Sequence, residues 1–502
     1  MRSMIAAVTA AEWYRWRRSW LRVAVLLLYL GAGAYAIVAG QHDVQRWDTA
    51  VTAASERAAV NQTETRAMYA SGVKGPADEP WVDLAVGYWA EWYSWTSMGM
   101  RPQPLAVTAR GVSDVRGHVI RVNRFTSAFD VGKNIDLGNP ETQALGALDL
   151  VFVLTMLMPL VMLVFGFDLL SYEREQGIAT VLHVQSASIG RWFAARLMVL
   201  AVIVLVPTVG LWLIGAGTSG AFSVQAAAVW QGAGFLSLLV LAWVAVVGAV
   251  GAWVTTSATS ALTLACLWVA VTLIVPALAN QVVSAVVPVG YASEVTNAVR
   301  SEQAALYAQP PGAFRPAVYA AFPGLRSAPY ARFDDAADSL RNPDKDMFLR
   351  EFAEHMLSRR AMEAIWSREV AREQLAMVAQ WGSPTVAAQL ALTRLAGVDA
   401  ASHRAFEQAV VPVVRAKLAM LLDGEWNNRK YDVAAFDALV ALVPPAARYG
   451  GTIGITSWVV LLTWLSAAIA VAVAGLRRPF LSPSPFARFS LDARLSQTTT
   501  VS

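Results

Sequence analysis

Six apolar runs, each about twenty residues long, constrain this chain more than any other feature. They cover roughly 23–40, 147–170, 193–215, 229–254, 260–279 and 454–475. A bilayer core about 30 Å thick is crossed by about 20 residues of helix. Lipid offers no partner to a bare backbone, so each run is expected to be helical. The expected fold class is an α-helical integral membrane protein with six transmembrane helices. Composition agrees: 15% of residues are charged, against about 25% in soluble domains. The basic residues form no stripe of the kind that binds nucleic acid. The single cysteine, Cys266, excludes an intramolecular disulfide and a cysteine-based zinc site.

Orientation follows from Lys and Arg near the span ends. Arg15, Arg17, Arg18 and Arg22 precede the first run, and Arg477, Arg478, Arg488 and Arg494 follow the last. An even number of spans puts both termini on one side, and both read as cytoplasmic. Residues 171–192 then face the cytoplasm, and the uncharged 218–228 hairpin faces outward. The first run would also fit a cleaved signal peptide, with AYA and VAG as small-residue sites. Removal would leave five spans and separate the basic termini, so the run is kept as a span.

The two long loops, 41–146 and 280–453, are too long to be structureless connections. They are expected to fold together as one mainly helical extracytoplasmic domain. In the first, 52–70 is helix-compatible and 115–125 alternates like a short strand. Trp89, Trp92 and Trp95 are spaced by three, which on a helix makes one aromatic face. Core packing or an interfacial anchor explains such a face, and so does a ligand-stacking platform. In the second loop, 346–381 has helical periodicity. Pro384 suits the first turn of a following helix that ends at Gly397, and 399–423 forms another.

No reacting constellation stands out. The nearest string to a phosphate-binding loop, SAFDVGKN at 127–134, lacks its first glycine and its final Ser or Thr. Glu351 and His355 sit four apart on one helix face, a spacing shared by metal pairs and by solvated surface pairs. The acidic stretch 332–346 lacks calcium-loop spacing and reads as a solvated loop. No metal or cofactor is expected in this chain. The spans carry almost no charge, with Asp149 and Asp168 near the ends of the second and Arg196 near the start of the third. Ion-coupled transporters keep ionisable groups at membrane depth, so their scarcity argues against that class. Small residues at 31, 33, 248, 251 and 467–474 suit close helix packing.

A bundle without an ATPase or an ion relay must receive force from outside. The compact charged stretch SYEREQG at 171–177, followed by a polar segment to residue 192, is the natural handle. A short helix there can dock in a groove of a soluble partner, with charges at the rim setting register. An ordinary solvated loop is the plainer reading. At the N-terminus, Trp13, Trp16, Arg17 and Trp20 suit a helix lying along the membrane surface.

The stretch Tyr172-Glu173-Arg174-Glu175-Gln176-Gly177 after the second of six spans resembles the signature of ABC-2 type transporter permeases. Ser186-Ala187-Ser188, Arg191 and Arg196 occupy the polar loop and basic positions of that pattern. Ile178 stands where the family has threonine, and Ser186 where proline is common. Residues 1–22 resemble the family's surface helix. The segment GSPTVAAQLALTRLAGVDAASHRAF at 382–406 resembles a subgroup with a large extracytoplasmic helical domain of unknown function.

That resemblance covers the whole chain. It implies a non-catalytic permease subunit in a bacterial inner membrane, partnered by a second permease, itself or a paralogue, and by a dimer of ABC ATP-binding subunits. ATP and Mg would be bound by those partner subunits. It implies coupling roles for Tyr172, Glu173, Arg174, Glu175, Gly177 and Arg191. Its layout is a cytoplasmic amphipathic helix at 1–22, spans at 23–40, 147–170, 193–279 and 454–475, a coupling segment at 171–192, extracytoplasmic parts at 41–146 and 280–453, and a cytoplasmic tail at 476–502. The periplasmic domain would take cargo, dock an envelope partner or respond to ATP-driven motion. A membrane-anchored scaffold or binding protein that transports nothing is the alternative from another class.

Overall fold

A computed structural model describes residues 2–113, 115–123, 126–132, 148–178, 189–288, 291–327, 343–427, 429–443 and 450–477. Its helices are α1 (Arg2–Arg18), α2 (Trp20–Ser71), α3 (Gly87–Tyr93), α4 (Ala128–Gly132), α5 (Leu150–Glu175) and α6 (Ile189–Thr218). They continue as α7 (Ala221–Val224), α8 (Ala226–Trp253), α9 (Ser257–Val286), α10 (Tyr291–Tyr307), α11 (Arg315–Ala321) and α12 (Pro343–Ala379). The last are α13 (Pro384–Ala396), α14 (Ala400–Trp426), α15 (Val433–Val440) and α16 (Ile455–Leu476). Six of these, α2, α5, α6, α8, α9 and α16, are long and apolar enough to cross a membrane. They match the six expected runs.

The first span does not stop at residue 40. It runs on as one helix of 52 residues to Ser71, because no Gly or Pro interrupts 41–71. Gly72 ends it at φ 70°, with its N–H turned back to the last carbonyls. In α5 and α9 the helix widens to π-turns at Val153–Leu157 and Ala270–Ile274. Pro159 and Pro276 follow closely, and each lacks the N–H that the carbonyl four residues back would need.

The bundle is centred on α8, which packs on α6 and α16. Glycines permit the closest approaches. A Cβ at Gly248 would meet the Leu197 side chain at 2.8 Å, and one at Gly33 would meet Leu211 at 2.4 Å. A Cβ at Gly31 would meet nothing, so only part of the small-residue pattern serves packing. Trp212 closes the other end of the α6–α8 contact by donating to the Val229 carbonyl at 2.9 Å.

α1 lies at one end of this bundle, against α6. At the opposite end, the two inserts pack together beside the 219–225 hairpin, where Gln225 accepts from the Leu105 N–H. Strands β1 (Thr96–Gly99) and β2 (Val119–Val122) pair antiparallel, Thr96 opposite Val122. The strand expected near 115–125 is therefore present.

The inserts and the bundle share one apolar core. The link is α13. Ser383 caps it by accepting from the Val386 N–H; Pro384 opens it and Gly397 at φ 72° closes it, as the sequence predicts for those two residues. Ala387, Ala388, Ala391, Leu392 and Leu395 are buried, and the helix packs among α5, α8, α9 and α16. Gln380 just before it accepts from Ser457 at 3.0 Å, and Trp464 donates to the Trp381 carbonyl at 3.0 Å. The insert domain is thus wedged into the helix ends.

The expected aromatic face at Trp89, Trp92 and Trp95 does not form. Helix α3 ends at Tyr93 and the chain turns into β1, so Trp95 lies off the helix. Its indole N–H donates to Asn61 at 2.8 Å, and the Arg121 guanidinium stacks on its ring at 4.2 Å. Trp89 packs edge-on to Tyr88, and Trp92 is exposed.

Candidate functional site at the root of the charged segment

At the α1 end, the second span turns at 167–170 and resumes as a short helix over Ser171–Glu175. Gly177 follows at φ 72°, a left-handed conformation that L side chains rarely adopt. This turn points successive side chains in different directions, and the charged residues divide accordingly.

Glu173 points inward. It is 7% exposed, and its Oε1 accepts from Arg196 Nη1 at 2.6 Å. Arg196, 1% exposed, also meets Glu12 of α1 through Nε at 2.7 Å and donates to the Leu169 carbonyl. Arg15 completes a closed ring, with Nη1 at 3.5 Å from Glu12 and 3.6 Å from Glu173. Its other terminal nitrogen donates to Asp168 at 3.1 Å. Arg22 grips both oxygens of Asp168 at 2.8 and 2.7 Å. Three guanidinium groups and three carboxylates thereby join α1, the start of α2, the end of α5 and the start of α6. Charges so buried are tolerable only when paired and hydrogen-bonded.

Arg174 takes a different direction. It donates to the backbone carbonyls of Gly251, Ala252 and Val254 at 3.2, 2.9 and 2.8 Å. These lie at the C-terminal end of α8, where carbonyls lack intrahelical partners and the helix dipole favours a cation. Glu175 is exposed and accepts from Ser257 at 2.7 Å, at the start of α9. The short helix is therefore fastened to the third, fourth and fifth spans and to α1.

What remains outward-facing is the tip. Tyr172, Gln176, Gly177 and Ile178 are exposed, and Arg15 sits 5.7 Å from the Tyr172 ring centre. Arg191 is exposed in the first turn of α6. Trp13 and Trp20 are 58% and 80% exposed, on α1 and at the head of α2. Trp16 and Arg17 lie within α1, but their side chains are outside the described residues, as are Ser186-Ala187-Ser188, the end of the 127–134 string, most of the acidic stretch 332–346 and the tail from 478.

Of the coupling residues expected from the sequence, Glu173 and Arg174 serve internal ties. Glu12, Arg15, Arg22 and Asp168 complete the charge network around Glu173 and Arg196, and no local signal marked them as members of it. Glu351 and His355 are not a solvated surface pair, because His355 is 3% exposed. Among the described residues no three His, Cys, Asp or Glu side chains converge as a metal site.

A family model described as a domain of unknown function, DUF3526, matches residues 295–438, from α10 to α15. No curated protein and no solved structure matches the chain.

Proposed function

We propose that this chain is the permease subunit of an ABC-2 type transporter in a bacterial inner membrane. ATP, with Mg, is hydrolysed on a separate pair of ATP-binding subunits, and the work enters through residues 171–192. A second permease copy or a paralogue completes the bundle. Both termini are cytoplasmic and the inserts are periplasmic.

One observation carries this reading. The 171–177 segment has an exposed tip, Tyr172 with Gln176 to Ile178, on a base locked to three spans and the surface helix. A displacement applied to the tip cannot dissipate in a loose loop; it is transmitted to α5, α6, α8 and α9 together. Glu173 and Arg174 are positioning residues in this reading, and Tyr172, Gln176 and Ile178 make the contact. At the far end, α13 converts motion of the spans into motion of the insert domain. The docking groove on the partner would take Tyr172 and Ile178 as apolar anchors.

The test is co-purification of the tagged chain with an ATP-binding protein from its own cells, with ATP hydrolysis measured in lipid. Ile178→Asp should abolish co-purification and the permease-dependent part of hydrolysis while leaving the bundle folded. A chain that brings down no ATPase, or an Ile178→Asp chain that binds and stimulates it as before, overturns the reading in favour of a membrane-anchored scaffold.

A further inference from the structure

A groove of about 370 Å³ runs between α8, α9 and α16. On this measure one water needs about 10–15 Å³, so the space is far more than a packing defect. Its walls include Val246 and Trp253 of α8, Leu267 of α9, and Trp464 and Val471 of α16. Thr263 is its polar lining residue, and that hydroxyl already donates to the Thr259 carbonyl at 2.8 Å. Water entering the groove would find almost nothing to bond.

The two tryptophans make it a preformed space. The Trp253 indole donates to the Val471 carbonyl at 2.8 Å, and the Trp464 indole to the Trp381 carbonyl at 3.0 Å. A Cβ at Gly475 would meet the Trp253 ring at 2.6 Å, so the end of α16 sits directly on that ring. Neither ring can swing to close the groove without breaking its bond. Ala467 and Val471 are exposed and Trp253 is 41% exposed, so the groove opens sideways, toward lipid. Side chains lining a void forfeit dispersion contacts until an apolar group fills it.

Depth and charge identify that group. Val246 to Trp253 covers about 10 Å along α8, within the roughly 15 Å of hydrocarbon that one leaflet provides. Arg477 follows Val471 by six residues, about 9 Å further along the axis of α16. It lies at the same end as Arg174 and α1, is exposed, and pairs with no acidic side chain among the described residues. A cation there meets the headgroups of the leaflet whose chains reach the groove. A second copy of the chain suits this face less well. A two-fold axis along the membrane normal would bring its own Arg477 to the same depth on the same face, setting like charges together.

We propose that this groove holds an acyl chain of an anionic phospholipid from the leaflet on the α1 side, with Arg477 on its headgroup. The inference rests on the six helices crossing a bilayer. It is independent of any ATP-binding partner and of the coupling role given to residues 171–177.

The full chain in detergent is titrated with dioleoyl phosphatidylglycerol and, separately, with dioleoyl phosphatidylcholine, and bound lipid is counted by native mass spectrometry. One phosphatidylglycerol per chain should bind about fivefold tighter than phosphatidylcholine, the weight of one arginine at an anionic lipid surface. Arg477→Gln should erase that preference. Ala467→Phe fills the groove from an exposed position and should remove the tight site for both lipids, with the gel-filtration profile of the native chain retained. Photolabelling needs no variant: a phosphatidylglycerol with a photoreactive acyl chain should mark 246–254 and 464–471 of the native chain. Equal affinity for the two lipids, labelling elsewhere, or undiminished binding by Ala467→Phe overturns the proposal. So does a disulfide between copies formed by Ala467→Cys in a Cys266→Ala background, because a second copy then covers the groove.

Discussion

Arg196 and Glu173, 23 residues apart in the chain, meet at 2.6 Å in a setting where Arg196 is 1% exposed. Two helices that share no local sequence pattern are joined there by a charge pair with almost no access to solvent. Removing one member of such a pair leaves the other buried and uncompensated, which costs more than the pair contributes.

Arg196→Met should therefore destabilise the folded chain by about 3–5 kcal/mol, since it leaves the buried Glu173 and Glu12 with only their longer contacts to Arg15. Glu173→Gln keeps an acceptor for Arg196 and should cost less. Thermal unfolding in detergent, followed by monodispersity on gel filtration, ranks the two. Equal losses would contradict the ring.

Arg174→Ala should release the carbonyls at the end of α8 to solvent. Bonds to a charged donor contribute about 1.5–3 kcal/mol each when dry, and hydration of this helix end offsets part of that. A net loss of about 1–2 kcal/mol is expected. Arg174→Lys should recover only part of it, because one ammonium cannot reach as a planar fork does. Hydrogen exchange at 249–254 reads the fraying directly.

Acid should weaken the insert domain. Burial holds His355 down to about 4, and burial with the neighbouring His118 and Arg116 holds His403 down to about 3, from an ordinary 6.5. The unfolded chain then binds more protons than the folded one below about pH 6.5. Stability is fully present above that pH and falls as pH drops toward 4 and then 3, by up to about 1.4 kcal/mol per pH unit for each ring. Unfolding temperatures measured from pH 7.5 to 4.5 should fall, and His403→Asn should flatten the slope. A flat profile in the native chain rules out buried neutral rings.

Ser383→Ala should loosen the wedge. Its hydroxyl caps α13 by accepting from the Val386 N–H at 3.2 Å, and Ser383 is fully buried. Loss of such a cap costs about 0.5–2 kcal/mol. Protease sensitivity in the 380–384 linker, compared with that of an exposed control site, reports the change.

The spans were legible because lipid leaves the backbone one option, and six apolar runs became six helices with ends shifted by a few residues. The first was the exception at one end, since hydropathy marks where lipid stops and not where a helix does. The Pro384 and Gly397 signals were legible because the chemistry of helix ends is local. The partners of Glu173 were not. Arg15 reaches Asp168 across 153 residues, and nothing near either residue encodes the meeting. Trp95 was misjudged because spacing by three assumes a helix that had already ended at Tyr93. Burial of His355 was hidden for a related reason: helix periodicity gives a face, and only the packing of α4 and α14 decides what that face meets.

The unbroken α2 has a mechanical consequence. At about 1.5 Å per residue it is a rod roughly 78 Å long. Arg22 clamps it near one tip, and Arg66, bonded to Asp437 of α15, ties down the other. A tilt of about 5° about the clamped tip would sweep the distant one through roughly 7 Å, by the same helix geometry. Leverage of that size needs no hinge and no flexible linker, only a stiff beam with an arginine near each tip.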